Sequence, residues 1–268
     1  MLGHALQEIF REYFPTCWDI QDLDITNEND VHEKIANLKP QVIINSAAYT
    51  NVDKAEEEKE LAFQVNAQGV KNLIEAARKI NATLVQYSTD YVFEGKKEEG
   101  YTESEVPLNP VNIYGASKLE GENELQKYNN YYLIRSSWLF GPYGKNFVQT
   151  IINLYIAQPQ LKIVNDQFGK PTYALDLARA TEALLNNERP FGIYHLVNEP
   201  ATNWYEFAKK IVESKFSKVR KEIIPVSSEK FPRPAKRPHY SILLNTKRPL
   251  LRPWAEALKD YLQENTEN

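Results

Sequence analysis

Residues 58–89 read EKELAFQVNAQGVKNLIEAARKINATLVQYST, and the change of period inside this stretch decides the fold. Between Glu58 and Ile80 the apolar side chains, Val70, Leu73, Ile74 and Ala77 among them, recur at three- and four-residue spacing, which predicts a long amphipathic helix. From Ala82 to Thr89 the run ATLVQYST is that of a buried strand. Working outward, QVIINSA (41–47) reads as another buried strand and NENDVHEKIANL (27–38) as a helix with an Asn or Thr start signal. TCWDI (16–20) reads as a short strand and LGHALQEIFREY (2–13) as a helix. Downstream, NIYGASKLEGENELQKY (112–128) predicts a helix and YYLIRSSW (131–138) a strand. This alternating order implies a doubly wound α/β fold, a parallel sheet covered on both faces.

After about residue 150 the alternation weakens, and Pro, Gly and aromatic residues gather in NDQFGKPTY (165–173), FPRPAKRP (231–238) and TKRPLLRPW (246–254). The expected division is therefore a dinucleotide-binding domain over 1–150 and a smaller, loop-rich substrate lobe over 151–268 covering the carboxyl ends of the strands. GIYHLV (192–197) looks like a late return to the sheet, so the lobes should interleave, and the polar tail QENTEN (263–268) should fray. In 268 residues with 42% hydrophobic and 25% charged side chains, no apolar run approaches the roughly 18 residues of a membrane span. No signal peptide is evident and the lone Cys17 rules out an internal disulfide, which favours the cytoplasm. A net charge of −4 argues against a broad nucleic-acid footprint, although FPRPAKRPHYS (231–241) could hold a phosphate. These features together favour a small-molecule enzyme.

YGASK (114–118) places Tyr114 and Lys118 four residues apart, on one face of a helix. A phenol titrates near pH ~10, and an adjacent ammonium group stabilises its phenolate, so Tyr114 could exchange a proton with a substrate oxygen near neutral pH. The plain alternative is a surface Tyr and Lys sharing a helix face. STDYVF (88–93) ends a strand with Ser88, Thr89 and Asp90, whose polar groups either support a carbonyl gaining negative charge or merely cap the strand. In NSAAYT (45–50) the small residues Ser46, Ala47 and Ala48 would let a flat cofactor lie close to the backbone, or make only a tight turn. Asp19 lies near the roughly 20-residue offset from Gly3 at which an acidic residue meets an adenosine ribose. Asp24 reads equally as such an anchor and as a helix start.

Over essentially its whole length the chain resembles the dTDP-4-dehydrorhamnose reductases of the extended short-chain dehydrogenase/reductase superfamily. The match is carried by MLGHAL (1–6), DLDIT (22–26), INSAAYTNVDKAE (44–56), VNAQGVKNLIEAA (65–77), STDYVF (88–93), YGASKLEGE (114–122), RSSWLFG (135–141), NDQFGKPT (165–172) and RPHYS (237–241). The resemblance implies a Rossmann-like sheet and reduction of the C4 ketone of dTDP-4-dehydro-L-rhamnose by NADPH or NADH. It makes Tyr114 the proton donor, with Lys118 binding the nicotinamide ribose and lowering the tyrosine pKa. Thr89 and Asp90 would contact the sugar and Trp138 would fence it, while the segment from Asn165 to Thr172 and Arg237 would help hold the diphosphate. Gly3, Asp19, Asp24, Ile25, Ala47, Ala48, Tyr49 and Ser88 would line the cofactor groove. Family members begin with a strand and a Gly-x-x-Gly-x-x-Gly turn, of which Gly3 matches the third glycine. The first strand and two glycines are therefore expected to be missing, and the chain as written is expected to bind a dinucleotide weakly.

Two other readings stay open. Dehydratases of the superfamily carry Thr-Asp-Glu where this chain has Tyr91, but epimerases share the Tyr and Lys pair. A non-catalytic binding subunit, such as the regulatory subunit of methionine adenosyltransferase, has the same fold. NADPH or NADH preference hangs on where Asp19 points. Family members can form homodimers, and Mg2+ has been associated with the family, although no metal-ligand cluster stands out in the sequence.

Overall fold

The apolar run of β2 (Thr83–Thr89) is buried along nearly its whole length because both faces of the strand are covered. Leu84 points into one core with Leu133, and Val85 and Tyr87 point into another with Ile134 and Tyr194. The computed structural model describes residues 1–247 and 250–264. Its central sheet holds β1 (Val42–Asn45), β2, β3 (Tyr131–Ser136) and β8 (Gly192–His195) in the order β1-β2-β3-β8, all parallel, with Val85 opposite Tyr132 and Ile134 opposite Tyr194.

On one face lie α2 (Glu28–Leu38), α4 (Gly69–Ile80) and α5 (Ile113–Leu125), which contribute Val31, Ile35, Val70, Leu73, Ile74 and Leu125. On the other lie α1 (Leu2–Ile9) and α7 (Ala174–Asn186), whose core continues without a break into α6 (Phe147–Ala157), α8 (Trp204–Lys215) and α9 (Trp254–Glu264). The predicted helix over 58–80 is α3 (Lys59–Phe63) running into α4 through a π-helical turn at Gln64–Gln68. Between β3 and β8 the chain makes β4 (Leu139–Phe140), β5 (Leu161–Val164), β6 (Phe168–Gly169) and β7 (Thr172–Tyr173). After β8 come β9 (Thr202–Asn203) and β10 (Ile223–Val226), and β10 pairs in parallel with β5. α9 runs to Glu264, and the last four residues of the tail expected to fray lie outside the described residues.

The segment TCWDI is not a strand. A strand persists only while its N–H and C=O groups find a ladder, and among the described residues the edge of β1 away from β2 has no strand beside it. Cys17 and Trp18 are exposed instead, and the chain turns at Asp19, whose Oδ1 accepts the Gln21 N–H at 2.8 Å.

Candidate active site

α5 starts at the buried Asn112, whose Oδ1 accepts the Gly115 N–H at 2.8 Å while its Nδ2 donates to the Lys236 carbonyl at 2.8 Å. Glu56 accepts the Ile113 N–H at 2.9 Å, another first-turn donor satisfied. The helix packs hard on its neighbours because two positions have no side chain. A Cβ on Gly115 would lie 2.1 Å from the Tyr91 carbonyl oxygen, and one on Gly121 would lie 2.1 Å from the Asn66 carbonyl oxygen.

This seating brings Tyr114 and Lys118 to the carboxyl end of β2. Lys118, 5% exposed, donates from Nζ to the Tyr87 carbonyl at 2.7 Å. Burial lowers its pKa to about 8, while Glu122, one helical turn on, pulls it upward. Glu122 is itself buried and held by Arg135, whose Nη2 and Nε lie 2.7 and 3.0 Å from its carboxylate. Tyr114 is half-buried, and desolvation pushes its phenol up to about 12 against the lowering effect of the neighbouring Thr89 hydroxyl. The Lys118 ammonium group is held by the Tyr87 carbonyl, and burial is the largest influence on the phenol. Tyr114 is consequently protonated at neutral pH, the state a proton donor requires.

Thr89 Oγ1 donates to Asp90 Oδ1 at 2.9 Å and accepts the Tyr91 N–H at 3.2 Å. Asp90 is 2% exposed, and burial pushes its carboxyl up to about 7, with the Ser241 and Thr89 hydroxyls pulling down. Its Oδ2 and the hydroxyls of Ser88 and Ser136 are buried with no hydrogen-bond partner. Thr89 and Ser136 are opposite one another in the register of β2 and β3, and Ser88 and Asp90 flank Thr89, so these residues stand at the strand ends where open α/β sheets bind ligands.

The groove residues fall into two groups. A Cβ on Gly3 would come 3.1 Å from Ser46 Oγ, which sets the start of α1 against the NSAAYT loop. Ala47 donates its N–H to Asn45 Oδ1 at 3.1 Å, and Ala48 and Tyr49 are half-buried. Asn66 accepts the Tyr49 N–H at 2.9 Å and donates to Ser117 Oγ at 2.9 Å, so one side chain in the π-helical turn ties the loop to the helix of Tyr114. Tyr49 donates its hydroxyl to Glu58 at 2.5 Å, which pushes its pKa up to about 12. Ile25 is buried against Gly69, and its carbonyl accepts from Asn72 at 2.9 Å. Asp19 and Asp24 are exposed, and Asp24 Oδ1 accepts the N–H and hydroxyl of Thr26. The cap of α2 is Asn27 rather than Asp24.

Trp138 has a left-handed backbone, φ 47°, unusual for a bulky residue, and stacks on Trp204 with ring centroids 3.6 Å apart. Phe168 donates its N–H to the His239 carbonyl at 2.7 Å and accepts the Ser241 N–H at 2.8 Å, which joins the NDQFGKPT and RPHYS segments. Arg237 binds Asp53 at 2.7 Å and holds that carboxyl below its ordinary range. Asn165 stays exposed beyond β5, its N–H on the Val226 carbonyl, one residue before Asp166, whose carbonyl lies 2.8 Å from His239 Nδ1.

Asn66, Ser117, Glu122, Arg135, Trp204 and Ser241 were not evident from sequence. Of these only Glu122 carried a legible signal, its one-turn spacing from Lys118. On α2 and α4, Glu28, His32 and Glu75 bring ligand atoms within 4.8 Å of one another, a grouping invisible in the sequence. The Lys79 ammonium 3.2 Å from His32 Nδ1 already supplies a cation there.

Residues 1–267 match the family described as the RmlD substrate binding domain. A dTDP-4-dehydrorhamnose reductase of Aggregatibacter actinomycetemcomitans is 39% identical over 92% of this chain and 88% of its own length. A crystal structure of a dTDP-4-dehydrorhamnose reductase from Bacillus anthracis in complex with NADP is 40% identical, covers 98% of this chain and 95% of its own, and superposes with a TM-score of 0.93. One from Clostridium acetobutylicum is 41% identical with the same coverage and TM-score. The chain belongs to the RmlD substrate-binding domain family, and it shares that family's Rossmann-like fold.

Proposed function

We propose that the chain reduces the C4 ketone of dTDP-4-dehydro-L-rhamnose to the alcohol of dTDP-L-rhamnose, with NADPH or NADH as the reductant. The observation that carries this reading is Tyr114 on α5 beside Thr89 at the carboxyl end of a parallel sheet, in a chain related to named reductases. A dinucleotide fits the groups present: the start of α1 lies against Ser46, and the Ser88 hydroxyl is buried without a partner. Gly3, Ala47, Ala48, Tyr49 and Ser88 would line the cofactor, with Ile25, Asp19 and Asp24 toward its adenosine end. When bound, the nicotinamide supplies the hydride to C4.

Tyr114 gives its proton to the C4 oxygen as negative charge develops there, with the Thr89 hydroxyl supporting the phenol and the Thr89 side chain set against the sugar. Lys118 holds the nicotinamide ribose with an ammonium group already fixed by the Tyr87 carbonyl. Asp90 and Trp138 position the sugar, and Arg237 and Asn165 serve the diphosphate, for which the planar guanidinium suits paired oxygens. The work belongs in the cytoplasm, with a free and exposed Cys17, and a homodimer is its proposed assembly.

The test incubates the purified chain with dTDP-4-dehydro-L-rhamnose and NADPH, following cofactor absorbance and product by NMR. One alcohol formed per NADPH consumed is expected. Isomerisation without net NADPH use would replace this reading with an epimerase, and no conversion together with a stoichiometric protein partner would replace it with a binding subunit.

A further inference from the structure

The Thr89 hydroxyl has one proton and two lone pairs to place. One lone pair takes the Tyr91 N–H at 3.2 Å, Asp90 Oδ1 lies 2.9 Å away, and the Tyr114 phenol is its remaining neighbour. With Asp90 ionised, the Thr89 proton is drawn to the carboxylate and away from Tyr114. With Asp90 protonated, Asp90 donates to the second lone pair and Thr89 turns its proton to Tyr114, so every site on the hydroxyl is used. The surroundings favour the protonated acid. Asp90 is 2% exposed, with a partnerless Oδ2. The groups facing it are the Thr89 and Ser241 hydroxyls and the phenols of Tyr91 and Tyr114, and Arg237 beyond Tyr91 is taken up by Asp53.

We propose that Asp90 is the proton reservoir of the reduction, recharging Tyr114 through Thr89. This rests on the reductase reading. Once Tyr114 has given its proton to the C4 oxygen, the Asp90 O–H bond breaks as a new one forms on Thr89 Oγ1. The original Thr89 proton passes to the Tyr114 phenolate at the same time. The phenol and hydroxyl are restored, Asp90 is left as a carboxylate, and it regains a proton from solvent between turnovers. The ketone has then gained one hydride from the nicotinamide and one proton. A carboxyl pushed up to about 7 by burial is partly charged with its proton under neutral conditions.

Two measurements test this. In wild type, kcat should fall as pH rises through about 7, ahead of a second fall near 8 as Lys118 loses its charge. Asp90→Asn keeps the shape but carries no acid proton: kcat should drop about 100-fold, KM should change little, and the first falling limb should vanish while the second stays. A variant with wild-type kcat and both limbs, changed only in KM, would overturn the relay and leave Asp90 no role beyond its place against the sugar. The second measurement needs no turnover. Infrared titration should show a carboxylic-acid C=O band persisting to neutral pH in wild type and in Thr89→Val but lost in Asp90→Asn, and its absence from wild type would overturn the proposal. A chain that shows the band yet reduces no ketone refutes the reductase reading and, with it, the relay's destination, whereas a reducing chain without the band refutes the reservoir alone.

Discussion

In the proposed reduction Tyr114 is the acid, and burial rather than a neighbouring charge governs its phenol. Its phenol is held protonated by burial, with the Thr89 hydroxyl as the main opposing influence. Tyr114→Phe removes the acid but little packing, so kcat should fall by about 100- to 10,000-fold while NADPH affinity, read by fluorescence titration, stays close to wild type. The pair YGASK announced both residues and their shared helix face, because a four-residue spacing needs only helical geometry to be interpreted. The direction of the phenol's pKa was not legible, since it depends on where the Lys118 ammonium points, and its partner, the Tyr87 carbonyl, comes from another element.

At the scale of elements, the seating of α5 depends on the missing side chain at Gly121, beneath the π-helical turn that presents Asn66. Gly121→Ala would drive a methyl group into the Asn66 carbonyl oxygen and should cost about 1–3 kcal/mol, measured by urea unfolding, with activity falling as Tyr114 and Lys118 shift. Helices and buried strands were readable from apolar period, and the span predicted for 58–80 differs from α3 and α4 mainly by the π-helical turn between them. TCWDI failed for a different reason. Its residues suit a strand, but strand formation is a property of two neighbours, and no ladder partner stands beside it among the described residues. Asn66 escaped notice likewise, because an asparagine in a helix shows its partners only when the loop and α5 are in place.

For the whole molecule, His195 joins the sheet to the later chain. It is fully buried, faces the Arg135 guanidinium, and has its Nδ1 3.1 Å from the Leu244 carbonyl, while Glu103 accepts its backbone N–H and that of Thr246. Burial, seconded by Arg135, lowers its pKa from 6.5 to about 4. The unfolded chain therefore takes up a proton below pH 6.5 that the folded chain refuses until about 4, so stability is full above that window and declines as pH falls through it. Thermal unfolding across the window should show this decline, and His195→Gln should flatten it. Cofactor affinity also belongs to this scale. Among the described residues β1 is paired on one side only, and fluorescence titration of NADPH measures how tightly the groove beside it holds a dinucleotide. That open edge of β1 has a colloidal consequence as well. A row of backbone donors and acceptors on a strand that begins with the exposed Val42 is a template on which another molecule can lay a strand. Concentrated solutions of this chain should therefore scatter more light with time, and a charged side chain in place of Val42 should suppress the rise.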